Sequence, residues 1–101
     1  MAINNFSEIP KKHLVVNVNK IEDYQNIYFK ENNNIQFLTR VSTEDLFHFL
    51  THYSLLIQEI DLNGEQESDY LSSLGAKILN CFINKYDIQG LKVKINGEVF
   101  N

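Results

Sequence analysis

Two histidines near the middle of the chain are spaced so that they could bind a metal ion. His48 and His52 are four residues apart, and Glu44 lies four residues before His48. On a helix these three side chains lie along one side. Hydrolytic zinc sites of the zincin kind need a glutamate directly after the first histidine, and Phe49 occupies that position. We therefore expect a solvated polar helix surface here, without a bound metal.

Two further segments contain residue types that could do chemistry. Cys81, the single cysteine, could act as a nucleophile only beside a base that lowers its pKa. Its place on the flank of an apolar helix stripe predicts a structural thiol instead. Residues 61–65 contain oxygen ligands suited to calcium, but Gly64 comes two positions too early for a calcium-binding loop. With no phosphate-binding glycine loop either, the sequence predicts a protein that is not an enzyme and uses no cofactor.

Acidic residues are concentrated in one block. Residues 42–70 contain seven carboxylates and no lysine or arginine. The preceding segment has five Lys or Arg against four Asp or Glu, and the following segment has four against two. A field concentrated in this way attracts a basic partner more strongly than the same charge spread over a surface. The seven residues are Glu44, Asp45, Glu59, Asp61, Glu65, Glu67 and Asp69.

Length and composition limit the class of protein. The chain has 101 residues, 44% of them hydrophobic, and a formal charge of −4. This size suits one domain spanning residues 1–101. A lone cysteine suits a reducing compartment, the first ten residues lack a signal-peptide pattern, and no stretch approaches a membrane span. We expect a cytoplasmic protein with no membrane contact. Its abundant Asn, Ile and Lys are a weak indication of a phage or mobile-element origin.

Alternating apolar residues predict five strands, at residues 13–19, 24–30, 35–41, 91–95 and 98–100. An asparagine-rich turn at residues 32–34 joins the second and third strands, and Asn96-Gly97 joins the last two. Ser42 is a suitable N-cap for a helix running to about residue 60. The buried stripe of that helix is predicted to comprise Leu46, Phe49, Leu50, Tyr53, Leu56, Ile57 and Ile60.

A second helix is predicted at residues 68–86. Gly75 lies within its apolar side, where a glycine costs about 1 kcal/mol relative to alanine. Close approach to the first helix and simple tolerance of this cost are equally good explanations. The predicted fold is α+β in two layers, with the element order β-β-β-α-α-β-β. An antiparallel sheet of four to five strands carries the two helices packed on one face.

Phe47 and Leu55 fall outside the predicted buried stripe and lie within the acidic block. An apolar centre with an acidic rim is typical of a protein-binding patch. We therefore predict a small non-enzymatic protein-binding module, an acidic inhibitor or immunity-type protein. It would neutralise a basic partner, such as a toxin, a nuclease or a nucleic-acid-binding effector. The predicted partner-binding residues are Glu44, Phe47, His48, Thr51, Leu55, Glu59, Asp61, Glu65 and Glu67.

Two alternatives remain open. The outer face of the sheet would combine aromatic and cationic side chains, as single-stranded nucleic-acid platforms do. An acidic pI of about 5.2 and the lack of an aromatic RNA-binding motif weigh against this alternative. The other alternative is a homodimer, or a larger homo-oligomer, that uses the same exposed apolar residues. The outer-face residues are Tyr24, Tyr28, Lys30, Arg40, Lys92 and Lys94.

Overall fold

The computed structural model describes residues 12–19, 21–53, 56–64 and 68–101. Within these ranges six strands form a single sheet, and two α-helices connect some of them. The helices are α1 (Thr43–His52) and α2 (Ser68–Asn80), and α2 continues into a π-helical turn at Cys81–Lys85. The strands are β1 (Lys12–Asn19), β2 (Tyr24–Glu31), β3 (Asn34–Ser42), β4 (Ile57–Asn63), β5 (Lys92–Ile95) and β6 (Glu98–Val99).

The sheet is mixed, and its strand order is β3-β2-β1-β4-β5-β6. Antiparallel pairs occur between β1 and β2, between β2 and β3, and between β5 and β6. β4 lies parallel to both of its neighbours, β1 and β5. Adjacent parallel strands need a crossover connection, and α2 lies in the connection between β4 and β5.

The predicted α+β class and the two helices are confirmed, but the first predicted helix is too long. α1 ends at His52, and the residues predicted as its last turn form most of β4. Ile60 and Leu62 are buried at the period of two that a strand requires, and they pair with β1 and β5. In the described residues the sheet therefore has six strands rather than four or five, and it is mixed rather than antiparallel.

The predicted turns follow local residue chemistry. Asn96 and Gly97 have φ angles of 50° and 87°, as a two-residue hairpin turn with two left-handed residues requires. Asn32 has a φ of 56° and opens the turn between β2 and β3. Asparagine tolerates this conformation better than most residues because its side chain bonds locally. Both predicted hairpins are confirmed.

Both helices pack on the same face of the sheet. Leu46 and Leu50 of α1, and Leu71 and Ile78 of α2, belong to one core cluster with the sheet. Fully burying a side chain of this size contributes about 1.5–3 kcal/mol. We call the opposite side of the sheet the open face, since no helix among the described residues covers it. The sheet contributes Leu14, Val16, Val18, Ile27, Ile57, Ile60, Leu62 and Val93 to the core.

Gly75 marks a close approach, though not to α1. A Cβ at this position would lie 3.4 Å from ring atoms of Phe100 and 3.4 Å from Cγ1 of Val93. The glycine therefore brings α2 close to β5 and to the segment after β6. That segment also bonds β5 through Asn101, whose Oδ1 accepts from the Val93 N–H at 2.8 Å and whose Nδ2 donates to the Leu91 carbonyl at 2.9 Å.

Candidate functional site

The beginning of α1 presents part of the predicted partner-binding surface. The Ser42 hydroxyl accepts a hydrogen bond from the Asp45 N–H at 3.1 Å, which confirms the predicted N-cap. Glu44 and His48 are exposed, and the Thr51 hydroxyl donates to the His48 carbonyl at 3.2 Å. These residues follow one another along the exposed side of the helix. A polar strip of three residues, one of them a carboxylate, therefore survives from the predicted patch.

The apolar centre predicted for this patch differs in the structure. Phe47 is half-buried and packs against the core cluster, so little of its ring is available to a partner. Leu55, the other predicted anchor, lies outside the described residues, as do Glu65 and Glu67. The described part of α1 consequently has acidic and polar groups but no exposed apolar centre of its own.

Glu59 and Asp61 lie on the open face, because they alternate along β4 with the buried Ile60 and Leu62. The Glu59 carboxylate pairs with the Lys94 ammonium at 3.4 Å. Asp61 Oδ1 accepts a hydrogen bond from the Gly97 N–H at 3.1 Å. α1 packs on the other side of the sheet, so these two carboxylates and the α1 residues belong to different surfaces.

Asp61 also takes part in a clasp between the ends of β4 and β5. Its bond to the Gly97 N–H is matched by a reciprocal one, in which the Gly64 N–H donates to Asn96 Oδ1 at 3.0 Å. The Asn63 side chain turns back to donate to the Asp61 carbonyl at 3.3 Å. The segment that begins at Asp61, predicted as a turn, is thus the end of β4. The Asp61 carboxylate has a structural role there.

His52 and Cys81 each make packing contacts in the described chain. The His52 ring packs edge-on against Tyr53, with 4.7 Å between the ring centroids. No three His, Cys, Asp or Glu side chains within the described ranges are arranged to hold a metal ion. Cys81 is half-buried in the π-helical turn and packs against the core.

Three aromatic side chains and one arginine lie together on the open face of β2 and β3. We call this set the β2–β3 patch; it is formed by Tyr24, Tyr28, Phe37 and Arg40. The rings of Tyr28 and Phe37 meet edge-on, with centroids 5.6 Å apart. Arg40 lies 6.0 Å from the Tyr24 ring centre, and its Nε donates to Asn26 Oδ1 at 2.9 Å. Tyr24 and Phe37 are still 52% and 54% exposed. The patch therefore combines fixed geometry with accessible rings.

The strand registers place all six predicted outer-face residues on the open face. Tyr28 pairs with Val15, Val15 with Asp61, and Asp61 with Lys94, which forms one continuous row across the sheet. Among the described strand residues, this face has four cations and two carboxylates. Its charge is thus opposite in sign to that of the whole protein. The four cations are Lys30, Arg40, Lys92 and Lys94, and the carboxylates are Glu59 and Asp61.

β3 contributes a second accessible feature, because it forms one edge of the sheet. Ile35 is 60% exposed and Leu38 is 47% exposed, in addition to Phe37 on the open face. The pairing register with β2 shifts at Leu38, which indicates a β-bulge. The alternation of apolar residues at 35–41 predicted the strand but did not indicate that it would lie at an edge.

A pocket of about 540 Å³ lies on the helix side of the sheet, next to β3. Phe49 and Tyr53, whose ring centroids are 5.1 Å apart, form its wall at the end of α1. Lys12 is the single charged residue among the described residues that line it, with its ammonium 4.3 Å from the Phe29 ring centre. The lining residues are Lys12, Leu14, Phe29, Leu38, Thr39, Phe49, Tyr53, Leu56 and Ile57.

Comparison with known proteins adds no assignment: no protein-family model, curated protein or solved structure gives a significant match to this chain. Neither helix of the described chain has the length and apolar character needed to cross a membrane. The fold and the surfaces define a small α+β domain with a mixed sheet, an open face bearing an aromatic patch, and one long exposed edge strand.

Proposed function

We propose that this chain is a small non-enzymatic protein-binding module and that the β2–β3 patch is the centre of its interface. The observation that carries the proposal is the grouping of two exposed rings, a third ring and an arginine on the uncovered side of the sheet. Aromatic residues and arginine are enriched at protein interfaces and dominate their hot spots.

The physical argument depends on how little these side chains lose on binding. Arg40 is already held by Asn26 and by the Tyr24 ring, and Phe37 is already packed against Tyr28. Ordering a flexible side chain costs about 0.5–1.5 kcal/mol at an interface. Side chains that are fixed beforehand avoid part of this cost, so burying the rings contributes more fully to affinity.

The expected partner chemistry differs between the two surfaces. The β2–β3 patch, with Arg40 and the nearby Lys30, suits an apolar surface that carries carboxylates. The strip formed by Glu44, His48 and Thr51 suits the basic partner predicted from the acidic block. An inhibitor or immunity-type role, in which a toxin or effector is neutralised, is compatible with either surface and stays a prediction.

Affinity capture with variants of each surface tests this proposal. Immobilised chain would be incubated with lysate of the native host, and retained proteins would be quantified by mass spectrometry. The patch variant carries Tyr24→Ala and Arg40→Ala, whereas the control variant carries Glu44→Lys on α1. We expect the patch variant to retain at least about tenfold less of the partner, since losing a hot spot exceeds 1.4 kcal/mol.

The control variant, Glu44→Lys, separates the results that would contradict the proposal. Equal retention by the wild type and the patch variant, with loss in Glu44→Lys, would assign binding to α1 and reject the patch. A wild type that retains no protein above a blank surface would reject the binding-module proposal itself. Circular dichroism would establish that both variants fold, since all three substituted side chains are exposed.

Single-stranded nucleic acid is a second candidate ligand for the open face. It is favoured because all six predicted aromatic and cationic residues lie on that face. Among the described strand residues of the face, four cations outnumber two carboxylates. Bases would stack on the rings while the cations neutralise phosphates. Fluorescence anisotropy with labelled oligothymidylate at low salt provides the test. Binding that Lys92→Glu and Lys94→Glu abolish would support this candidate, whereas no binding at low salt would exclude it.

A further inference from the structure

The free edge of β3 and the pocket on the helix side of the sheet share two residues. Leu38 and Thr39 belong to β3 and also line the pocket. One feature offers unpaired backbone and the other offers an apolar cavity, so a single ligand could use both. The pocket lies on the opposite side of the sheet from the β2–β3 patch, to which β3 contributes Phe37 and Arg40.

The free side of β3 is longer than an average strand, which has about five or six residues. The strand has nine residues and pairs with β2 on one side, while no strand of the described chain pairs with its other side. Such an edge presents N–H and C=O groups that another chain can pair with. Proline, charged side chains and β-bulges commonly protect exposed edges. β3 has no proline or lysine; its arginine, Arg40, is held on the open face by Asn26 and Tyr24, and its bulge is confined to Leu38.

The pocket supplies selectivity that the backbone cannot. Its volume of about 540 Å³ and its aromatic and aliphatic walls suit a large apolar side chain. Lys12 stands over Phe29 and forms no ion pair within the described chain. A carboxylate on the ligand would therefore meet an ammonium that has no ion-pair partner among the described residues, at a wall whose other described residues are uncharged.

We propose that β3 accepts an extended segment of a partner protein as an added strand. One large apolar side chain of that segment occupies the pocket, and an acidic side chain two residues away, on the same face of the added strand, pairs with Lys12. Addition of a strand to a sheet edge, with pockets for alternate side chains, is an established mode of peptide recognition. The inference rests on the proposed protein-binding function and specifies how the partner is held.

A peptide library provides the probe. Random peptides of about ten residues, long enough to span β3, would be displayed on phage and selected against the full chain. We expect enriched peptides to share a large apolar residue two positions away from Asp or Glu, because residues at this spacing lie on the same face of a strand. A synthetic copy of the most enriched peptide should slow amide exchange in residues 34–42 and leave exchange in α2 unchanged.

Two charge reversals make the test specific. Lys12→Glu should weaken peptide binding at least about tenfold, since a repelled carboxylate replaces a paired one. Lys92→Glu makes the same change on the open face of β5 and should alter affinity less than about twofold. Leu38→Asp, at a half-exposed position in the pocket wall, should also weaken binding without unfolding the protein.

Other outcomes overturn the inference in distinguishable ways. Enriched peptides that bind equally well to Lys12→Glu but fail with the Tyr24→Ala and Arg40→Ala variant would move the site to the open face and leave the proposed function intact. If the library yields no enriched peptide although a partner is captured from lysate, the added-strand inference is rejected and the proposed protein-binding function stands. A concentration-dependent dimer whose β3 amides are protected without peptide would replace the partner segment with a second copy of the chain.

Discussion

β3 and β6 form the two edges of the same sheet, yet they leave very different amounts of backbone open to a partner. β6 has two residues, and the segment after it continues to bond β5 through the Phe100 N–H and the Asn101 side chain. β3 has nine residues, and its free side has no partner strand in the described chain. Position at an edge therefore does not by itself expose a strand, because short segments and side chains can complete the hydrogen bonding.

The largest expected effect is at the β6 edge, where Asn101→Ala removes two hydrogen bonds, one to β5 and one to Leu91 directly before it. The Val93 N–H and the Leu91 carbonyl would lose their partners. At roughly 0.5–1.5 kcal/mol for each bond, we expect the free energy of unfolding to fall by about 2 kcal/mol. Urea denaturation measures this change. Asn33→Ala, in the exposed turn before β3, is the control and should change stability by less than about 0.5 kcal/mol.

A smaller effect is expected from the turns that lead into the two edge strands. Gly97 has a φ of 87°, so Gly97→Ala should cost about 1 kcal/mol at the β6 hairpin. Asn32 has a φ of 56°, and Asn32→Gly should be neutral or slightly stabilising at the β3 hairpin. Thermal unfolding of the two variants side by side gives the comparison. A loss in Asn32→Gly as large as that in Gly97→Ala would contradict this expectation and would mean that the Asn32 side chain itself stabilises its turn.

The smallest effect on stability is expected at the exposed edge itself. Ile35→Lys should change the free energy of unfolding by less than about 0.5 kcal/mol, because the side chain is largely solvated. It should nevertheless reduce association at this edge, since a lysine discourages strand pairing. Light scattering at increasing protein concentration would detect the difference. A marked loss of stability would show that Ile35 supports the fold and that β3 is less free than its exposure indicates.

Local patterns predicted most of the fold because the apolar period and the turn residues agree. The alternation in β1, the Asn-Gly hairpin and the Ser42 cap each depend on neighbours close in sequence. The boundary between α1 and β4 does not. Ile57 and Ile60 continue the helical stripe in phase, and no glycine or proline separates them from Tyr53. Pairing with β1 and β5 makes this segment a strand, and such pairing is invisible to a local window.

The candidate functional surfaces were less predictable than the strands, because they too depend on which strands pair with one another. The grouping of aromatic and cationic residues on the open face followed from strand alternation, which is local. The separation of Glu59 from Glu44 followed from the position of β4 in the middle of the sheet, and that depends on tertiary structure. The β3 edge and the pocket beside Leu38 had no sequence signal, because an edge is defined by which strand has no further neighbour.

The clasp between the ends of β4 and β5 has a consequence for the chemical ageing of this protein. Asn63-Gly64 and Asn96-Gly97 are both of the dipeptide type most prone to deamidation, in which the glycine nitrogen attacks the asparagine side chain. Both glycine nitrogens are engaged as donors, to Asn96 and to Asp61. The folded chain therefore holds both nucleophiles away from the reaction, and asparagine loss on storage should follow the fraction of molecules that is unfolded.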